Sequence, residues 1–129
     1  MSLGTDLRTT AKILVVDPDH DFLMLSKAWL EKAGHLVAIA SDPLAAHDLW
    51  VAQPSEVLLV EADIERPGGG IRLANALTQL RPELAVVVMT GALGEEVPSR
   101  YGVLTKPFNR RCLLDAIERA IKECMPRSS

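Results

Sequence analysis

Six polar side chains stand where short apolar runs of this 129-residue sequence end, and their types suit phosphoryl transfer. They are Asp17, Asp19, Glu61, Asp63, Thr90 and Lys106. Grouped carboxylates repel one another unless a cation lies among them, and Mg²⁺ prefers oxygen ligands. A carboxylate can also act as a nucleophile that forms an acyl phosphate, while a hydroxyl and a lysine stabilise charge on the phosphoryl oxygens. The set therefore predicts Mg²⁺-assisted phosphorylation of a carboxylate, provided that the fold brings these residues together.

The elements that must position these residues are predicted from the apolar pattern. Runs without polar alternation are typical of strands buried on both faces, and they cover residues 13–16, 37–40, 57–60 and 86–89, with a shorter run at 103–104. Between the runs, apolar residues recur at helical spacing, and Asp42-Pro43 and Asn109 are typical of helix starts. Alternating strands and helices predict an α/β fold with a parallel sheet, whose functional pocket lies at the carboxyl ends of the strands.

Composition limits the classes of partner. The net charge of -3 and the pI near 5.6 argue against direct binding to nucleic acid, which needs clustered cationic side chains. No apolar run approaches the roughly twenty residues of a membrane span, and no signal peptide is evident. We therefore expect a cytoplasmic protein with no membrane partner. We expect one domain at residues 12–123, with tails at 1–11 and 124–129.

Four sequence motifs resemble those of the receiver domains of bacterial response regulators, and the resemblance extends from about Lys12 to Lys122. They are Lys12-Ile-Leu-Val-Val-Asp17, Asp63-Ile-Glu-Arg-Pro67-Gly68, Val86-Val-Val-Met-Thr90-Gly91 and Leu104-Thr-Lys106-Pro107-Phe108. The resemblance implies a doubly wound, flavodoxin-like sheet of five strands in the order 2-1-3-4-5. It also implies a signalling switch, and not an enzyme beyond its own phosphorylation and dephosphorylation. A sensor histidine kinase would phosphorylate an aspartate of the domain, and the change would alter binding to a downstream protein or output domain.

The resemblance also implies roles for single residues. Asp17 would hold Mg²⁺, Thr90 and Lys106 would stabilise the phosphoryl group, and the peptide bond before Pro107 would be cis. The sequence departs from the family pattern at two places near these residues. Pro18 replaces a second adjacent acid, so that either Asp19 reaches the metal or Mg²⁺ binds weakly.

The second departure is a short stretch between Thr90 and Lys106, which predicts that the fourth helix of the family is short or missing. The family also places an aromatic residue three positions before the lysine, where this sequence has Val103. Tyr101 lies nearby but is out of register with that position.

The phosphoacceptor has two candidates. Asp63 is preferred because Pro67 and Gly68 follow it as they follow an acceptor in the family, and the metal group would then be Asp17, Asp19 and Asp63. Glu61 is the rival because it follows four apolar residues, as the strand-end residues of the first and fourth strands do. If Glu61 holds the position, the domain is expected to be a pseudo-receiver, a protein-interaction module that works without phosphorylation.

Overall fold

The computed structural model describes residues 10–91 and 96–124. Its five strands are β1 (Lys12–Val16), β2 (Leu36–Ala40), β3 (Val57–Glu61), β4 (Ala85–Thr90) and β5 (Gly102–Thr105). Its four helices are α1 (His20–Lys32), α2 (Pro43–Ala52), α3 (Gly69–Leu80) and α4 (Arg110–Cys124). Most of the two predicted tails, residues 1–9 and 125–129, lies outside the described residues.

All strand pairs are parallel, and the strand order is β2-β1-β3-β4-β5. The predicted fold class and strand order are therefore confirmed. Between β4 and β5, the described residues 91 and 96–101 contain no helix, in agreement with the expectation of a short or missing fourth helix, while residues 92–95 lie outside the description. No helix in the described parts of the chain is long and apolar enough to cross a membrane.

The sheet has an apolar core on each face, which explains why its central strands show no polar alternation. Leu58 of β3 packs in a cluster with side chains of α2 and α3, including Trp50 and Leu77. The next residue, Leu59, points to the opposite face and packs in a cluster with side chains of α1 and α4, including Leu30 and Ile117. Helices on both faces bury the central strands β1, β3 and β4 almost fully, so that the polar side chains are left to the strand ends.

The register of the sheet aligns the ends of β1 and β3. Val16 pairs with Val60, so Asp17 and Glu61 are the first polar residues after paired apolar positions. In the other neighbour of β3, Met89 pairs with Glu61, and β4 ends one residue later at Thr90. The carboxyl edge of the sheet therefore presents two carboxylates side by side.

Candidate functional site

Asp17 is the buried centre of the site. Only 1% of its surface is exposed, and both carboxylate oxygens have partners. Oδ1 accepts a hydrogen bond from the backbone N–H of Asp19 at 2.8 Å, and Oδ2 accepts one from Nζ of Lys106 at 3.1 Å. A buried carboxylate is costly unless it is paired and hydrogen-bonded, and these two contacts meet that need.

Glu61 reaches the same ammonium group from β3. Its Oε1 lies 2.5 Å from Nζ of Lys106, and its side chain is 16% exposed. Because a glutamate side chain is one methylene longer than an aspartate side chain, its carboxylate extends beyond the strand end to the lysine that follows β5. Glu61, Lys106 and Asp17 thus form one ion-paired group across the ends of β3, β5 and β1.

Lys106 is held in place by more than its two ion pairs. Its backbone N–H donates to the carbonyl oxygen of Thr90 at 2.8 Å, and its Nζ lies 5.5 Å from the ring centroid of Phe22. Phe22 makes an edge-to-face contact with Phe108, with ring centroids 5.8 Å apart. The peptide bond between Lys106 and Pro107 is cis.

The charge state of Lys106 follows from these surroundings. Burial alone would lower the pKa of Lys106, but the hydrogen bonds and charges of Glu61 and Asp17 outweigh it. The pKa of Lys106 is therefore raised above its ordinary value of 10.5, and the ammonium stays charged at neutral pH.

Thr90 also lies at this edge of the sheet. It is the last residue of β4, it is buried, and it pairs with Thr105 immediately before Lys106. The fold thus brings together four of the six polar residues singled out in the sequence, namely Asp17, Glu61, Thr90 and Lys106.

The other two acids have different positions. Asp63 lies on the loop after β3, is exposed, and accepts a hydrogen bond at Oδ1 from the backbone N–H of Gly68 at 2.8 Å. Asp19 is the N-cap of α1, where its Oδ1 accepts from the backbone N–H of Phe22 at 3.2 Å. Of the two acceptor candidates, Glu61 lies with Asp17 and Lys106, and Asp63 lies on the exposed loop.

The path of the loop explains the difference between the two acids. Ala62 and Ile64 are fully buried in the core cluster beneath α2 and α3, so the alternate residue Asp63 points outward. The loop then closes tightly on β3, because the backbone N–H of Gly70 donates to the carbonyl oxygen of Ala62 at 2.9 Å. A Cβ at Gly70 would collide with the carbonyl oxygen of Glu61, so only glycine permits this approach.

The role of Asp17, Asp19 and Asp63 as a magnesium group stays a prediction. In residues 10–91 and 96–124, no cluster of three or more His, Cys, Asp or Glu side chains is suited to a metal ion. Both carboxylate oxygens of Asp17 accept hydrogen bonds from protein donors, Asp19 caps a helix, and Pro18 has no side-chain oxygen. Mg²⁺ is commonly held by one or two carboxylates together with waters, and Asp17 and Glu61 are the carboxylates that this edge of the sheet offers.

One part of the site was not predicted from the sequence, namely the aromatic pair of Phe22 and Phe108 beside Lys106. The sequence placed Phe22 on the apolar face of a helix and Phe108 in the word that follows the lysine, but neither position indicated a contact between them. The contact depends on α1 and the loop before α4 lying on the same side of the sheet.

Comparison with known proteins agrees with the fold. The family model for the response regulator receiver domain matches residues 13–118. The response regulator receiver protein CpdR of Brucella abortus is 32% identical over 117 residues, which cover 85% of this chain and 96% of that protein. Sporulation initiation phosphotransferase F of Bacillus subtilis is 29% identical over 126 residues, covering 92% of this chain and 96% of that protein.

A solved structure gives the same result. The crystal structure of NtrX from Brucella abortus in complex with ADP superposes with a TM-score of 0.78 at 28% identity, covering 89% of this chain. The chain spans 28% of the length of that protein. The family match, the CpdR similarity and the 2-1-3-4-5 sheet together show that this chain belongs to the response regulator receiver domain family of two-component signalling systems.

Proposed function

We propose that this receiver domain is a pseudo-receiver, which presents one conformation to a protein partner without being phosphorylated. Receiver domains are signalling modules that interact with histidine kinases and output domains, and they generally bind Mg²⁺ for phosphorylation. The observation that carries the proposal is the contact of 2.5 Å between Oε1 of Glu61 and Nζ of Lys106. In this proposal Glu61 occupies the acceptor position, and Lys106 neutralises it permanently.

The electrostatics of the group support this function. Two carboxylates, Asp17 and Glu61, face one ammonium, Lys106, so the group carries one net negative charge. A phosphoryl donor is itself anionic, and its charge grows on the equatorial oxygens during transfer. Repulsion between the donor and these carboxylates opposes transfer unless a cation offsets it. In this proposal Lys106 is already engaged by Glu61 and Asp17, so it does not offset the charge of a donor.

The residues at and before the start of β5 also support a function without phosphorylation. Val103, which stands where the family has its aromatic residue, is exposed on β5. Tyr101 is buried instead, and its hydroxyl donates to Oδ1 of Asn75 in α3 at 2.6 Å. The one tyrosine of the chain is thus held against α3 by a short hydrogen bond. In this proposal its side chain keeps one position and does not report phosphorylation.

A competing function is phosphorylation of Asp63 by a histidine kinase, with Mg²⁺ as cofactor. The exposure of Asp63 favours it, because a donor could reach that carboxylate. In this position, however, the accepting carboxylate would lie outside the group formed by Asp17 and Lys106.

Intact-mass spectrometry after incubation with acetyl phosphate and Mg²⁺ tests the two functions. We expect the wild-type chain to gain no phosphoryl group. The double variant Pro18→Asp/Glu61→Asp restores an acidic pair after β1 and an aspartate at the end of β3, and it is expected to gain one group that hydroxylamine removes. A phosphoryl group on the wild type that disappears in Asp63→Asn would establish the competing function. One that disappears only in Glu61→Gln would show a glutamyl acceptor and would equally contradict the proposal.

A further inference from the structure

The outer face of α2 is unusually apolar for an exposed helix surface. The helix buries Ala46 and Trp50 against the sheet. Its outer face, which we define as Leu44, Ala45, Asp48, Val51 and Ala52, lies on the solvent side. Leu44 is 71% exposed and Val51 is 52% exposed. Positions 44, 48, 51 and 52 follow helical spacing, so they form one continuous stripe.

The outer side of α4 differs from that of α2. The exposed side chains of α4 are mostly charged, as surface helices usually are; they include Arg110, Arg111, Asp115, Glu118, Arg119, Lys122 and Glu123. The outer face of α2 carries a single charged residue, Asp48. A helix that is apolar on both sides is typically covered on both sides, and here the protein covers only one.

The surroundings of α2 leave room for a covering element. The helix packs on β1, β2 and α3. In the described sheet, β2 lies at one end of the strand order and pairs only with β1. The helix α2 therefore packs beside the edge strand of the described sheet, to which no other described strand is added.

The charge of this region selects the class of partner. Residues 33–65 contain neither lysine nor arginine, whereas Asp42 caps α2 and Asp48 lies on its outer face. An apolar surface with acidic surroundings complements a helix that has an apolar side and cationic flanks. The same charges disfavour an anionic membrane surface and nucleic acid.

A second copy of this chain fits less well. In a symmetric antiparallel pair of α2 helices, the middle of the stripe lies at the twofold axis. That middle residue is Asp48, whose side chain is 74% exposed, so the two copies would place like charges against each other. The charge pattern thus favours a different protein.

We propose that the outer face of α2 is a docking surface for a cationic amphipathic helix of a partner protein. The proposal rests on the proposed function in one respect: it supplies the interaction surface that a phosphorylation-independent module needs. A helix of 10 residues is about 15 Å long, which limits the contact to a small interface of the transient kind. We therefore expect affinity in the micromolar range.

Fluorescence anisotropy of a labelled model peptide tests this surface on the full chain, without Mg²⁺ or any phosphodonor. The probe is a leucine/lysine amphipathic helix of about five turns, and the matched peptide carries glutamate in place of lysine. We expect the lysine peptide to bind and the glutamate peptide not to bind. The variant Leu44→Ser/Val51→Ser is expected to weaken binding at least tenfold, and Asp48→Lys to weaken it less. Leu80→Ser on α3, where Leu80 is 61% exposed, is the control and should bind as the wild type does.

Three results would overturn the docking surface. They are equal binding in Leu44→Ser/Val51→Ser and the wild type, equal weakening by Leu80→Ser, and equal binding of the glutamate peptide. Sedimentation that shows a dimer of the wild type, lost in Leu44→Ser/Val51→Ser, would identify a second copy as the occupant and would also contradict the proposal. Because the substituted side chains are exposed, thermal melts should show all variants folded. The peptide result and the phosphorylation result are independent measurements, so either proposal can fail alone.

Discussion

Two acids that are close in sequence, one at the carboxyl edge of the sheet and one on the loop after β3, differ in burial and in their partners. Glu61, at the sheet edge, is largely buried and ion-paired with Lys106. Asp63, two residues later, is exposed and holds only the backbone of its own loop through Gly68. The sequence word around Asp63 resembles the acceptor motif of the family, yet the sheet register gives Glu61 the place beside Asp17. Strand register, and not the local motif, decides which carboxylate joins the site.

Gly70→Ala is expected to have the largest effect on stability. It should displace α3 from the end of β3, where Glu61 lies. The added Cβ would collide with the carbonyl oxygen of Glu61, a backbone atom that cannot move aside. We expect a loss of about 3 kcal/mol in the free energy of unfolding, at the upper end of overpacking effects. Urea unfolding measures it. Gly91→Ala is the control, because a Cβ there meets no atom within 4 Å, and its midpoint should stay close to that of the wild type. Equal losses in both variants would show that the approach of Gly70 to Glu61 is unimportant.

A smaller loss is expected from Lys106→Met, which removes the shared cation. It leaves the buried carboxylate of Asp17 and the carboxylate of Glu61 facing each other without compensation. Because Lys106 is 34% exposed, solvent screens part of the cost, and we expect about 2 kcal/mol of destabilisation. Lys27→Met breaks an exposed ion pair with Glu31 and should cost at most about 0.5 kcal/mol in the same urea titration. A similar cost for both variants would contradict a special role for Lys106.

The dependence of stability on pH in the alkaline range gives a second measure of the contribution of Lys106. The folded-state pKa of Lys106 is raised above 10.5, so its contribution to stability is complete at neutral pH and is lost as the pH rises through the folded-state pKa. In Lys106→Met, this part of the alkaline loss should be missing from the stability profile. If the variant and the wild type lose stability in parallel above pH 10.5, the ion pairs do not stabilise the fold.

The smallest effect on stability is expected from His35, which lies between α1 and β2 at the opposite edge of the sheet. Burial lowers the pKa of His35, although the charge of Glu118 acts in the opposite direction. Nδ1 of His35 accepts a hydrogen bond from the backbone N–H of Ala11 at 3.1 Å, which requires that nitrogen to be unprotonated. The unfolded chain therefore binds the proton more readily, and stability should fall as the pH drops below 6.5. His35→Gln should flatten this part of the profile, and an unchanged slope would refute the assignment.

Much of the fold could be predicted from the sequence because its signals are local. Apolar runs predicted the five strands, and the helix starts at Asp42 and Asn109 are confirmed by side-chain caps. The site was harder to predict, because a motif and a register pointed to different acids. Glu61, which ends a strand of the sheet, is the acid that lies beside Lys106. The role of Asp19 as a metal ligand stays a prediction, and its position as the N-cap of α1, three residues before Phe22, was not predicted from the sequence.

The most direct test of the account is the NMR titration of the Lys106 ammonium group in ¹⁵N-labelled protein, with Lys106→Arg used to assign the signal. If Glu61 holds the acceptor position, Glu61→Gln should lower the pKa of Lys106, because it removes a negative charge that raises that pKa and leaves only a neutral acceptor. Asp63→Asn should leave the pKa of Lys106 unchanged, because Asp63 contacts the loop backbone. The opposite outcome, with the pKa of Lys106 lowered by Asp63→Asn and unaffected by Glu61→Gln, would contradict the account.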